Sequence, residues 1–157
     1  FGAEALKACR EKKDTHALEQ VVLDIIISTG LVSNMTTQMP DYYYNASLAH
    51  CVYYGSTVTK KGHQHLHGEI VALGILCLLT YDQQFEVRDR IMEFNDKMGF
   101  PVCFGDVEIG EEEFEAMADK AMTSTEWEFR PKDVTQEKFI QCMKDQNQAG
   151  QLFRKYK

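Results

Sequence analysis

The chain has 157 residues, 44% of them hydrophobic and 26% charged, with 17 Lys plus Arg against 24 Asp plus Glu and a net charge of −7. That supplies apolar material for one sizeable core and excludes disordered, collagenous and coiled-coil compositions, so one domain over residues 1–157 is expected. Basic residues are interleaved with acids, as in Lys12-Lys13-Asp14 and Arg88-Asp89-Arg90, which argues against a phosphate-tracking surface and hence against a nucleic-acid partner.

The longest apolar stretch, Ile70 to Thr80, falls short of the roughly 18 residues a spanning helix needs, so no membrane segment is expected. Phe1 to Lys13 has no apolar segment behind a basic start, and the chain reads as beginning at a cut end. The five cysteines, Cys9, Cys51, Cys77, Cys103 and Cys142, are odd in number and never spaced as C-x-x-C. Reduced thiols and a cytoplasmic location are expected, without a zinc knuckle.

In chain order, Leu18, Val21, Val22, Ile25 and Ile26 recur at helical spacing and predict a helix over 15–29 that stops at Gly30. Asp41 is a cap for a second helix whose Tyr44, Leu48, Cys51, Val52 and Gly55 share a side, ending between Gly55 and Lys61. After Lys60-Lys61-Gly62 comes His63-Gln64-His65-Leu66-His67-Gly68-Glu69, then the apolar run Ile70 to Leu79, which predicts a central buried helix. Phe85 to Met98 predicts an amphipathic helix with Val87, Ile91, Phe94 and Met98 as its stripe, closed by Gly99 and Pro101. Glu111-Glu112-Glu113 suits the positive end of a helix dipole, so these acids read as a helix start, with Phe114, Met117 and Ala121 inside, rather than as a metal site. Residues 123–132 read as a loop whose Trp127 and Phe129 pack back. Thr135 caps a last helix with Phe139, Cys142 and Met143 buried. No alternation supports a sheet, and the fold class is all-α with about six helices.

Four of the five histidines lie between His50 and His67. Imidazole is the commonest transition-metal ligand, and a hairpin of the two flanking helices would bring His50 and His67 together. Taken by themselves, these residues favour a reading without a metal, His63 and His65 as solvated loop residues and His50 as a hydrogen-bonded, partly buried one. Gly68 after His67 would let the backbone approach closely and leave the ring pointing out of the turn.

Ala49-His50-Cys51-Val52-Tyr53-Tyr54-Gly55 followed by Leu66-His67-Gly68-Glu69-Ile70-Val71-Ala72-Leu73-Gly74 resembles the C-terminal helical domain of the iron-containing, metal-dependent alcohol dehydrogenases. The glycerol dehydrogenase branch is the nearest, and the architecture is shared with dehydroquinate synthase-like proteins. The resemblance runs from about Glu4 to Gln151, through Met98-Gly99-Phe100-Pro101, Glu111 to Phe114 and Val134-Thr135. It implies that His50 and His67 hold a divalent ion, Zn or Fe(II), and that His63 and Tyr54 stand on the substrate side or behind the ligands. It implies a small alcohol or polyol substrate, with NAD(P) bound by an N-terminal nucleotide-binding domain absent from this chain, whose sequence has no Gly-rich phosphate loop of its own. The family's Asp ligand would fall just before Phe1, so metal is expected to bind this chain weakly or not at all. Tyr53-Tyr54 departs from the His-Asn usual in glycerol dehydrogenases. A docking face left bare by the missing domain would expose apolar surface, and a homo-oligomer is a further expectation. The alternative is a stand-alone helical binding module with a vestigial or structural metal site and no catalysis.

Overall fold

The computed structural model describes residues 1–36 and 48–157 and is all-α, with no strand among the described residues. The chain forms two compact units, 1–45 and 46–157.

In the first unit α1 (Gly2–Arg10) packs against α2 (His16–Leu23). Thr15 caps α2 by accepting the Leu18 N–H at 3.3 Å, which meets one of the donors that every helix start leaves unpaired. The helix expected to stop at Gly30 does not. A π-helical turn, Asp24–Thr29, carries it into α3 (Gly30–Thr36), with Gly30 itself in right-handed helical geometry. Glycine ends a helix when it turns left-handed; this one keeps φ at −64° and the ladder continues. The resulting helix over His16–Met35 has 20 residues and is long and apolar enough to cross a membrane by length and composition alone. That corrects the expectation that no segment reaches this length, because the helix runs on past Gly30 and the single charge of Asp24 and the hydroxyl of Ser28 leave it apolar on average. The cap at Asp41 and the stripe position Tyr44 lie outside the described residues.

The second unit holds a continuous core, built on α4 (Leu48–Ser56), α5 (His67–Tyr81), α6 (Phe85–Met98), α7 (Phe114–Ala121), the short α8 (Thr125–Glu128) and α9 (Gln136–Lys155). The central helix is α5, which packs on α4, α6 and α9. Ile70, Leu73, Leu76 and Cys77 are fully buried, whereas Ile75 on its outer side is exposed. Its apolar run therefore outlines more buried surface than the helix has.

Gly74 sets the distance between α4 and α5. A Cβ at Gly74 would lie 2.4 Å from the Ala49 carbonyl oxygen, so only glycine lets the two backbones come this close. Ala49 meets Gly74 while Tyr53 meets His67, so numbers rise along one helix as they fall along the other, and the pair is antiparallel.

The buried face of α6 is turned from the expected stripe. Met92 and Asn95 are buried while Phe85, Val87 and Phe94 are about half exposed. Gly99 closes this helix as expected, at φ +80°, with the Phe100 N–H reaching back to the Asn95 carbonyl at 2.8 Å. The acidic run forms a 3-10 turn, Glu111–Glu113, ahead of α7, whose Phe114, Met117 and Ala121 are buried as predicted. Within the segment read as a loop, α8 forms one helical turn and buries Trp127.

Candidate metal centre

His50 sits in the middle of α4 and His67 is the first residue of α5. The connection between them is held firmly. The Thr59 hydroxyl bonds the Ser56 carbonyl at 2.7 Å and accepts the Gly62 N–H at 2.9 Å. The Lys60 N–H donates to Glu113 at 3.0 Å, and Lys61 pairs with Glu108 at 3.2 Å. The chain then enters α5 through Glu69, whose carboxylate accepts the Leu66 N–H at 3.0 Å, one arm of a capping box. The same carboxylate lies 3.4 Å from His65 Nδ1. Glu69 thus fixes the helix start that carries His67. Gly68 plays a smaller part than its sequence suggests, because no atom lies within 4 Å of where its Cβ would be and no close approach occurs there.

The two imidazoles stand 5.6 Å apart, centre to centre, tilted by 44°. Tyr53 packs edge-on against His67 at 4.1 Å and Tyr54 edge-on against Tyr53 at 5.3 Å. His50 Nδ1 is buried with no hydrogen-bond partner, although a buried polar nitrogen ordinarily has one. Burial first, and then the neighbouring His67, lowers the His50 pKa, with Glu126 pulling the other way. The neutral imidazole so favoured is the form that binds a metal. Cys51, next in sequence, behaves differently. Burial, then the charge of Glu126, pushes its thiol up to about 12, so it stays protonated and is a poor ligand.

Two imidazoles bonded to one tetrahedral ion at about 2 Å place their ring centres roughly 5 to 6 Å apart. The spacing of this pair and the unpaired buried nitrogen of His50 both suit an ion. Among the described residues, no group of three His, Cys, Asp or Glu comes together at metal-binding distance, so the pair alone makes an incomplete ligand set. His63 lies exposed on the 3-10 turn Gly62–Gln64. Tyr54 lines a cleft of about 280 Å³ with Lys120, Thr123, Ser124, Thr125 and Glu126.

Sequence reasoning missed Tyr53 as the ring against His67, although its place one turn after His50 on the same helix is a usable signal. It also missed Glu126, which comes to this region only because α8 packs on α4. No local pattern announces that contact.

Helices alone, with a histidine pair where two antiparallel helices meet, define the class as an all-α domain with a candidate metal centre. Comparison with known proteins narrows this. The chain is 26% identical over 157 residues to the glycerol dehydrogenase of Thermotoga maritima, an alignment covering 97% of this chain and 41% of that protein, in its C-terminal part. In fold it is similar to a probable glycerol dehydrogenase from Sinorhizobium meliloti, with a TM-score of 0.63 and 22% identity over 69% of this chain and 33% of the other. No family model matches. The chain spans less than half the length of these two proteins, to which it is similar in sequence and in fold respectively.

Proposed function

We propose that this chain is the helical metal- and substrate-binding domain of an NAD(P)-dependent alcohol dehydrogenase acting on glycerol or a similar polyol. The observation that carries the reading is the His50–His67 pair, 5.6 Å apart with one buried nitrogen unpaired, in a chain homologous to glycerol dehydrogenase. His50 and His67 would hold a divalent ion, Zn²⁺ or Fe²⁺, which when bound supplies Lewis-acid polarisation of the substrate oxygen.

The chain's own residues do the rest. His50, half-buried and favoured in its neutral form, offers a lone pair without first losing a proton. His67, at the helix start braced by Glu69, faces it from a fixed backbone. Tyr53 covers one side of His67 and limits its swing, and Tyr54 borders the cleft through which a small hydroxylated substrate would approach. His63 would stand on the substrate side. The nicotinamide cofactor belongs to a nucleotide-binding domain that this chain does not contain. The apolar helix over His16–Met35 is read as part of the helical domain rather than as a membrane span, since the alignment with the Thermotoga maritima enzyme covers nearly the whole chain. The half-exposed Phe85, Val87 and Phe94 support a further contact surface, and with it a homo-oligomer. A cytoplasmic location completes the proposal.

The test measures NADH formation from small alcohols and diols, with added Zn²⁺ or Fe²⁺, by the full-length protein and its His50→Ala and His67→Ala variants. Each substitution should lower turnover by about 100-fold or more. This chain alone should show no turnover and hold metal weakly. Full activity with both histidines replaced would overturn the assignment.

A further inference from the structure

A groove of about 580 Å³ between α6 and α9 has no part in the reading above. Its size is that of a small-ligand site. Met92, Leu152 and Phe153 give it an apolar floor, and Asp89, Glu93 and Asp96 stand along it on α6, at a spacing that puts all three on one side of the helix. Asp89 pairs with Arg88 at 2.8 Å, and Asp96, whose side chain is only 7% exposed, pairs with Arg154. Glu93 is exposed and has no ion-pair partner among the described residues.

The groove already holds an alkylammonium of the chain's own. Lys157, just past the end of α9, lines it, pairs with Asp96 and lies over the Phe153 ring at 5.8 Å, so that one cation meets a carboxylate and an aromatic face at once. Its side chain is nevertheless 57% exposed. An ion pair so open to water is worth little, and a better cation can displace it.

We propose that this groove binds a linear aliphatic polyamine, for which Lys157 is the resident stand-in. The reading is independent of the metal centre, and the ligand class follows from the lining. Methylenes gain by covering Met92, Leu152 and Phe153, a gain that a bare metal ion does not share. One ammonium takes the place of Lys157 between Asp96 and Phe153. The next reaches Glu93, one turn earlier, where side chains three apart stand about 5–6 Å from each other at Cβ, close to the spacing of ammonium groups three or four methylenes apart. A monoamine would only replace Lys157 like for like; the second ammonium, on Glu93, is the gain. With Lys157 displaced, the three acids face Lys97 alone among the lining cations.

The test is a calorimetric titration of spermidine into the full-length protein at physiological ionic strength, with butylamine as the monoamine control, for the native protein, K157A, E93Q, F153L and E115Q. Circular dichroism checks that each is folded. Spermidine should bind saturably and butylamine should not. K157A should bind spermidine about 3- to 10-fold more tightly, because the native groove must first release its own lysine. E93Q and F153L should each weaken binding by about 2- to 5-fold, and E115Q, which removes an exposed acid on α7, should leave it unchanged. Absence of saturable binding by both the native protein and K157A overturns the site. So does an E115Q loss equal to that of E93Q, which would mean diffuse attraction to an acidic protein, and so does K157A binding no more tightly than native. Tighter capture of a lysine-rich peptide than of spermidine would give the groove to a protein partner and overturn the small-ligand assignment.

Discussion

At the scale of single residues, two positions decide whether the core can form as it does. Gly74 presses on the Ala49 carbonyl, and an alanine there would put its Cβ 2.4 Å from that oxygen. Because the contact is backbone on both sides, neither partner can rotate away. Gly74→Ala should therefore destabilise the protein by about 1–3 kcal/mol, seen as a lower denaturation midpoint, and should weaken any metal bound by His50 and His67, since it separates the helices that carry them. Gln146 is the second. It is fully buried on α9, accepting the Thr80 hydroxyl at 2.9 Å and donating to the Val102 carbonyl at 2.9 Å. Gln146→Leu keeps the bulk but leaves that carbonyl unpaired, and should cost about 1–3 kcal/mol in a urea titration. The apolar period of α9 gives Phe139, Cys142 and Met143 but not Gln146, because the pattern sorts residues by hydrophobicity and this one is buried for its amide. Asn147 escapes for the same reason. It accepts the Phe104 N–H at 3.0 Å and donates to Glu111 at 2.8 Å.

At the scale of elements, the helices with strong caps or strong stops are legible and the rest shift. The limits of α6 and the cap of α9 at Thr135, which accepts the Lys138 N–H at 3.3 Å, follow from local chemistry. The face that α6 buries does not, since its apolar residues exceed what one neighbour covers and packing on α5 selects Met92 over Phe94. The histidine pair was legible as a juxtaposition from the hairpin of α4 and α5; its packing with Tyr53 and the approach of Glu126 depend on tertiary contacts. The join between α6 and α9 gives a pH prediction. Asp106 accepts the Val102 and Cys103 N–H groups at 2.8 and 3.3 Å and pairs with Arg154 at 2.9 Å; Arg154 also pairs with Asp96. Burial works to raise the Asp106 pKa, but the hydrogen bond from Arg154 and those from the backbone outweigh it, and the net shift is downward. A carboxyl whose folded pKa lies below its unfolded one contributes stability that is present above the unfolded value and lost as pH falls through the folded one. The native protein should thus lose urea resistance below about pH 4. Asp106→Asn should be weaker at neutral pH and show a flatter acid limb, the two curves converging at low pH.

At the scale of the whole molecule, the apolar core belongs to one unit. Every residue of the continuous cluster, from Leu48 to Met143, lies in 46–157, whereas among the described residues of the first unit the buried hydrophobic ones are Ala5, Ala8 and Ala17. Burial of three alanines supplies little of the area that folding needs, and the 20-residue helix over His16–Met35 leaves most of its apolar side chains exposed. The second unit should therefore fold by itself and the first should not. A protein comprising 46–157 should keep a cooperative thermal transition and the near-ultraviolet signal of its one tryptophan, Trp127, which is 6% exposed and packed between Phe139 and Arg130. A peptide of 1–45 should show little helix in dilute buffer, and should gain helix in the presence of detergent micelles, because Ile25, Ile26, Leu31 and Met35 have more than half their surface exposed. If 46–157 unfolds without a transition while the complete chain melts cooperatively, the first unit supplies stability that its own burial does not account for.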